Sequence, residues 1–130
     1  MSEARGRLDA ATIERWLVYL VAVHSAAVGL MLLLAPTWAT RFGGWEQVAP
    51  LFFTRQAGVF HFVVVVGYLG EYRRYGGVRL LVATKALATL FLSAAWLGGE
   101  SAWSVPFSAA GDAAMGLAVA LAHRARTNAS

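Results

Sequence analysis

The sequence predicts an all-α integral membrane protein, a bundle of four transmembrane helices, on three observations. Hydrophobic residues make up 58% of the 130 and charged residues 14%, too apolar a balance for a soluble domain of this length. The apolar residues fall into four blocks, 13–35, 51–70, 78–97 and 105–122, each near the ~20 residues that cross a hydrocarbon core. Arginines gather between and beyond these blocks, mostly on one side.

Ahead of the first span, Glu3, Asp9 and Glu14 alternate with Arg5, Arg7 and Arg15. This segment lacks the cationic start and small-residue cleavage site of a signal peptide, so the first span is expected to be retained. The longest connection, 36–50, carries Thr37, Trp38, Ala39, Thr40, Arg41 and Phe42 followed by Gly43 and Gly44. It reads as a short interfacial helix ended by a glycine turn, closing the outer face or acting as a lid. Residues 1–130 then form a single domain, with no repeat and no low-complexity tract. The small polar ends, 1–7 and 127–130, are expected to be unstructured.

Arg5, Arg7 and Arg15, then Arg73, Arg74 and Arg79, then Arg124 and Arg126 all fall on one side. The opposite side carries Arg41, with Arg55 just inside the second span, and the connection 98–104 has no Lys or Arg. The positive-inside rule therefore predicts an N-in/C-in topology. Aromatic residues at the span ends suit the headgroup layer: Trp16, Tyr68, Tyr72 and Tyr75 inside, and Trp38, Trp45, Trp96 and Trp103 outside.

The net charge of +4 invites a nucleic-acid reading, but the basic residues stand at helix ends and no aromatic-lined basic groove is implied. The expected partner is the lipid bilayer, with no nucleic acid. The absence of cysteine removes disulfides, thiolate ligands, iron–sulfur clusters and thiol nucleophiles. No paired carboxylates, phosphate loop, hydrolase triad or zinc-ligand motif is present, which makes an enzyme the weaker class and leaves no metal site in prospect.

The informative residues are the polar ones at membrane depth. His24, His61, Lys85 and Asp112 each lie within about three residues of a span centre, or ~4–5 Å at 1.5 Å per residue. A charge there costs about 2.5–3.5 kcal/mol on insertion scales, so these side chains should face the bundle interior and find partners. Lys85 and Asp112 are expected to form an ion pair or a water-bridged contact, with Arg55 competing for the same carboxylate from the outer side. Arg55 and His61 are about 120° apart on a helix, however, and so address different neighbours. Lys85, Thr89 and Ser93 share one helix face, as do Ser108, Asp112 and Gly116.

Two readings of this layer are open. Arg55, Lys85, Asp112, His61 and His24 could form a ligand-binding site for a quinone headgroup, another small molecule, a lipid headgroup or a proton. The same residues could instead neutralise one another and only set helix packing. His24 and His61, at matched depth on adjacent antiparallel helices, also allow bis-histidine ligation of a b-type haem. His123 is expected to be a solvated end residue.

The run from Gly29 to Pro36, Arg55-Gln56-Ala57-Gly58, Lys85 and Gly111-Asp112 resemble the DoxX-like group of small bacterial four-helix membrane proteins. The resemblance implies the four-span fold, a bacterial inner (cytoplasmic) membrane location, the Arg55, Lys85 and Asp112 set, and an association with redox or quinone-linked membrane complexes. His24 and His61 fall outside that pattern. The functional expectation is an accessory subunit of a larger membrane complex or a small-molecule or quinone-binding protein. The alternatives are a haem-binding electron-transfer protein and a purely structural bundle. The macromolecular partner would be another membrane protein or a second copy of the chain.

Overall fold

The computed structural model describes residues 2–128, with side chains described from Asp9 onward. Among these residues the chain forms five helices: α1 (Ser2–Leu34), α2 (Pro36–Phe42), α3 (Leu51–Tyr75), α4 (Arg79–Leu97) and α5 (Ser104–Asn128). Four of them, α1, α3, α4 and α5, are long and apolar enough to cross a membrane, and the chain is a small polytopic membrane protein.

The helix ends follow local chemistry. α1 stops at Leu34 because Pro36 disfavours a helical conformation at Ala35, which sits at φ −128° and ψ 54°. The same proline then occupies the first turn of α2, where its missing N–H costs nothing. At the other end of α2, Gly44 takes φ +97° with its backbone against Trp103, where a Cβ would stand 2.9 Å from the indole. α3 continues past the expected stop at 70, since Gly70 alone does not break a helix, and ends at Gly76 in the left-handed conformation, φ +61°. Glu71 then caps α4 from the preceding helix. Its carboxylate accepts from the backbone N–H groups of Arg79 at 3.1 Å and Leu80 at 2.8 Å, two donors with no partner inside α4.

The terminal segments depart from expectation. α1 begins at Ser2 and α5 runs through Asn128, so residues 2–7 and 127–128 are helical; Met1, Ala129 and Ser130 lie outside the described residues. At 33 residues α1 is ~50 Å long, well beyond a ~30 Å hydrocarbon core.

α1 packs along α3 on one side and α5 on the other, and α4 packs along α5. The α3–α4 contact is slight, and the backbones of α3 and α5 are not adjacent, meeting only through side chains such as Tyr68 and Val119 in the core. The start of α1, the end of α5 and the α3–α4 connection share one end, here the termini end, where Arg126 Nη2 donates to the Gly76 carbonyl at 2.7 Å. The far end is closed by α2, whose Phe42 carbonyl accepts from Trp103 Nε1 at 2.7 Å. The Gly43 carbonyl accepts from the Ser104 N–H at 3.2 Å. Trp38, Phe42, Trp103 and Phe107 continue as a chain of ring contacts, with centroids 5.3, 5.5 and 5.7 Å apart.

The core comprises Val18, Val21, Tyr68, Val78, Leu81 and Val119, with Tyr72 and Met115 packed against it. Tyr68, expected at the inner interface, is 2% exposed and belongs to this core. Its hydroxyl lies near Thr84 of α4, which gives the polar tip a polar neighbour inside. Large apolar residues such as Leu20, Val66, Leu87, Phe91 and Phe107 point outward, as lipid-facing side chains do.

Candidate functional site

Two polar layers lie inside the bundle, separated by the apolar core. The first is the midplane pair. Lys85 Nζ donates to Asp112 Oδ1 at 2.6 Å, with the two side chains 6% and 14% exposed. Gly116, one turn beyond Asp112, makes the approach of α4 possible: a Cβ there would stand 3.0 Å from the Lys85 Cβ. The Thr89 hydroxyl donates to the Lys85 carbonyl at 2.8 Å, so it is spent on its own helix backbone.

The pair forms the floor of an apolar groove between α4 and α5. This groove has a volume of about 420 Å³ and is walled by Val82, Ala86, Leu90, Ala113, Leu117 and Ala120. Lys85 keeps ammonium protons, and Asp112 a second carboxylate oxygen, that the ion pair does not use. The arrangement can offer one donor and one acceptor, side by side, to a polar head entering from lipid.

The other midplane residues are placed unequally. His61 is half-buried and His24 exposed, and both lie close enough to Lys85 and Asp112 to feel their charges. Arg55 is exposed, and the carboxylate of Asp112 is bound by Lys85 without it. The expected competition for Asp112 does not occur, because Arg55 sits on α3, which α1 and α4 keep away from α5.

A tight α1–α3 contact bears on the haem expectation. A Cβ on Gly29 would stand 2.8 Å from both the Gly58 carbonyl and the His61 Cβ, and one on Gly58 would stand 2.7 Å from the Gly29 carbonyl. The two backbones touch beside His61, so a porphyrin between α1 and α3 would have to part them. The geometry gives the haem reading no support. Among the described residues, no group of three His, Asp or Glu side chains is placed to hold a metal ion.

The second layer, at the termini end, is one the sequence reading missed. Glu14 on α1 is 0% exposed. Its Oε2 forms an ion pair with Arg126, 2.9 Å from Nε, and faces His123 Nδ1 at 3.1 Å, both on α5. Arg126 also donates to Gly76, and the Tyr72 hydroxyl addresses the same carboxylate from α3. Glu14 Oε1 has no partner in hydrogen-bonding geometry. His123 is therefore not a solvated end residue, and the polar segment around Glu14 is not uniformly solvated. The signal was present: Glu14, Val18, Val21 and Ser25 recur at helical spacing, and all four are buried.

No family model, curated protein or solved structure matches this chain. Function must therefore be argued from these two layers and the surfaces around them.

Proposed function

We propose that the protein binds a lipid-soluble small molecule of the quinone class in the α4–α5 groove, with the polar head on Lys85 and Asp112. The observation that carries this reading is the groove itself: apolar walls, a charged floor at membrane depth and a volume of about 420 Å³, inside the range of small-molecule sites. A quinone carbonyl would accept from Lys85 Nζ, and a quinol hydroxyl would donate to Asp112. Arg55, His24 and His61 do not line this groove, and His24 and His61 would act on it through charge.

The experiment is a titration of purified protein with a short-chain benzoquinone, followed by native mass spectrometry. Ala113→Trp fills the groove and leaves the ion pair in place. Saturable binding that this variant loses supports the reading; binding unchanged in Ala113→Trp refutes it.

A second reading is favoured by the small residues lining the groove. Ala86, Ala113, Gly116 and Ala120 would let a helix of a larger membrane complex approach closely, with this chain as an accessory subunit. Co-purification of a membrane protein after mild solubilisation, lost in Ala113→Trp, would favour it over the small molecule. On either reading the arginine distribution supports an N-in/C-in orientation. The DoxX-like motifs support a bacterial inner membrane.

A further inference from the structure

A second groove, on the lipid-facing side of α1 at the termini end, is unrelated to the α4–α5 site. It is a shallow, open depression of about 270 Å³ formed by Trp16, Leu17, Tyr19, Leu20 and Val23 of α1 alone. From Trp16 to Val23 the helix rises ~10 Å, the depth of the upper part of an acyl chain. Arg73 of α3 stands at one edge. Its Nε donates to the Tyr19 hydroxyl at 3.3 Å and its guanidinium lies 5.8 Å from the Tyr19 ring centroid. This holds the cation over the aromatic face, while its terminal N–H groups take no protein acceptor among the described residues.

The charges around the groove do not cancel. Arg15, beside Trp16, and Arg74, over the Tyr75 ring at 5.7 Å, are exposed and form no salt bridge among the described residues. The nearby carboxylates are committed elsewhere: Glu14 to Arg126 and His123, and Glu71 to the backbone of α4. Asp9 lies about two turns further along α1, beyond the groove. A shallow apolar face beside arginines that form no salt bridge among the described residues complements a molecule with an acyl tail and a net negative head.

We infer that this face is a binding site for an anionic phospholipid, its phosphate on Arg73 and Tyr19 and its acyl chain along Trp16, Leu20 and Val23. A zwitterionic lipid would bring its own cation into the arginine cluster and bind less well. Free phosphate would meet the arginine but gain nothing from the groove.

The test titrates the detergent-solubilised full chain with phosphatidylglycerol or phosphatidylcholine and counts retained lipid by native mass spectrometry. Phosphatidylglycerol should be retained in preference by roughly fivefold or more, the ratio that one arginine near the surface supplies. Arg73→Gln should lower its retention roughly fivefold. Leu20→Trp, which blocks the groove and leaves the arginines, should also lower it, whereas Arg41→Gln at the far end should not. Both tested positions are exposed, so the variants should keep the thermal stability of the parent chain. Equal retention of the two lipids, parental retention in Arg73→Gln or Leu20→Trp, or displacement by inorganic phosphate overturns the proposal.

Discussion

Removing Arg126 should destabilise this protein more than removing the charge of Glu14, although the two residues share one contact. The asymmetry follows from burial. The Glu14 side chain is 0% exposed, and that of Arg126 is 30% exposed. In Arg126→Ala the carboxylate stays enclosed with only neutral or weakly basic groups beside it, His123 at 3.1 Å and the Tyr72 hydroxyl, and Oε1 is already without a hydrogen bond. Stranding a buried charge in this way costs about 3–5 kcal/mol. In Glu14→Gln the guanidinium keeps its bond to Gly76 and can turn toward water, so the loss is closer to the 1.5–3 kcal/mol of about one charged hydrogen bond. The variants should differ by on the order of 2 kcal/mol, a factor of roughly 30 in the folded-to-unfolded ratio. Equilibrium unfolding in mixed micelles with increasing dodecyl sulfate, followed by helical circular dichroism, measures both. An Arg126→Ala cost equal to or smaller than that of Glu14→Gln would refute the argument from burial.

Lys85→Met and Asp112→Leu should each cost about 3–5 kcal/mol, while the double variant should fall within ~1 kcal/mol of the parent because no charge is left unpaired. Additive losses in the same unfolding assay would mean that the two residues act independently. Gly58→Val would drive a side chain into the Gly29 carbonyl and the Leu33 N–H, at 2.7 and 3.0 Å, and should cost ~1–3 kcal/mol by overpacking. Gly70→Val, with nothing within 4 Å, is the matched control and should be close to neutral. The chain has no cysteine, so single introduced thiols report orientation directly. With an N-in/C-in topology, Ser101→Cys should react with an impermeant maleimide in intact cells and Asn128→Cys should not; the reverse pattern would invert the proposed orientation.

Much of the architecture was legible because membrane insertion imposes a coarse rule on composition. Four apolar blocks of sufficient length announce four helices whatever their packing, and α3 and α4 begin within a residue of the expected positions. The turn chemistry was also readable, since Pro36 and Gly43-Gly44 bracket α2 where a short interfacial helix was expected. The Lys85–Asp112 pair followed from depth and sign alone, because two opposite charges at one level of a small bundle have few other partners.

What the sequence concealed depends on which helix lies beside which. Arg55 and Asp112 match in charge, but the backbones of α3 and α5 are not adjacent, and Asp112 pairs with Lys85 instead. Glu14 looked like one charge among several in a polar leader. It became the most enclosed carboxylate because α1 continues as a helix and α5 extends far enough to bring His123 and Arg126 over it. Tyr68 looked interfacial by position along α3, yet its face of the helix turns into the core.

By itself, then, the sequence determined that the chain has four helices long and apolar enough to cross a membrane, where α3, α4 and α5 start, and that Lys85 and Asp112 neutralise one another at depth. These outcomes depend on distance along a helix and on the cost of placing polar groups in hydrocarbon, both of which are local. Only the tertiary structure decided that Glu14 joins Arg126 and His123, that Arg55 is left outside, and that grooves form on α1 and between α4 and α5. Those outcomes depend on helix adjacency, which is set by close backbone contacts such as Gly29 on Gly58 and Gly116 on Lys85 between residues far apart in the chain.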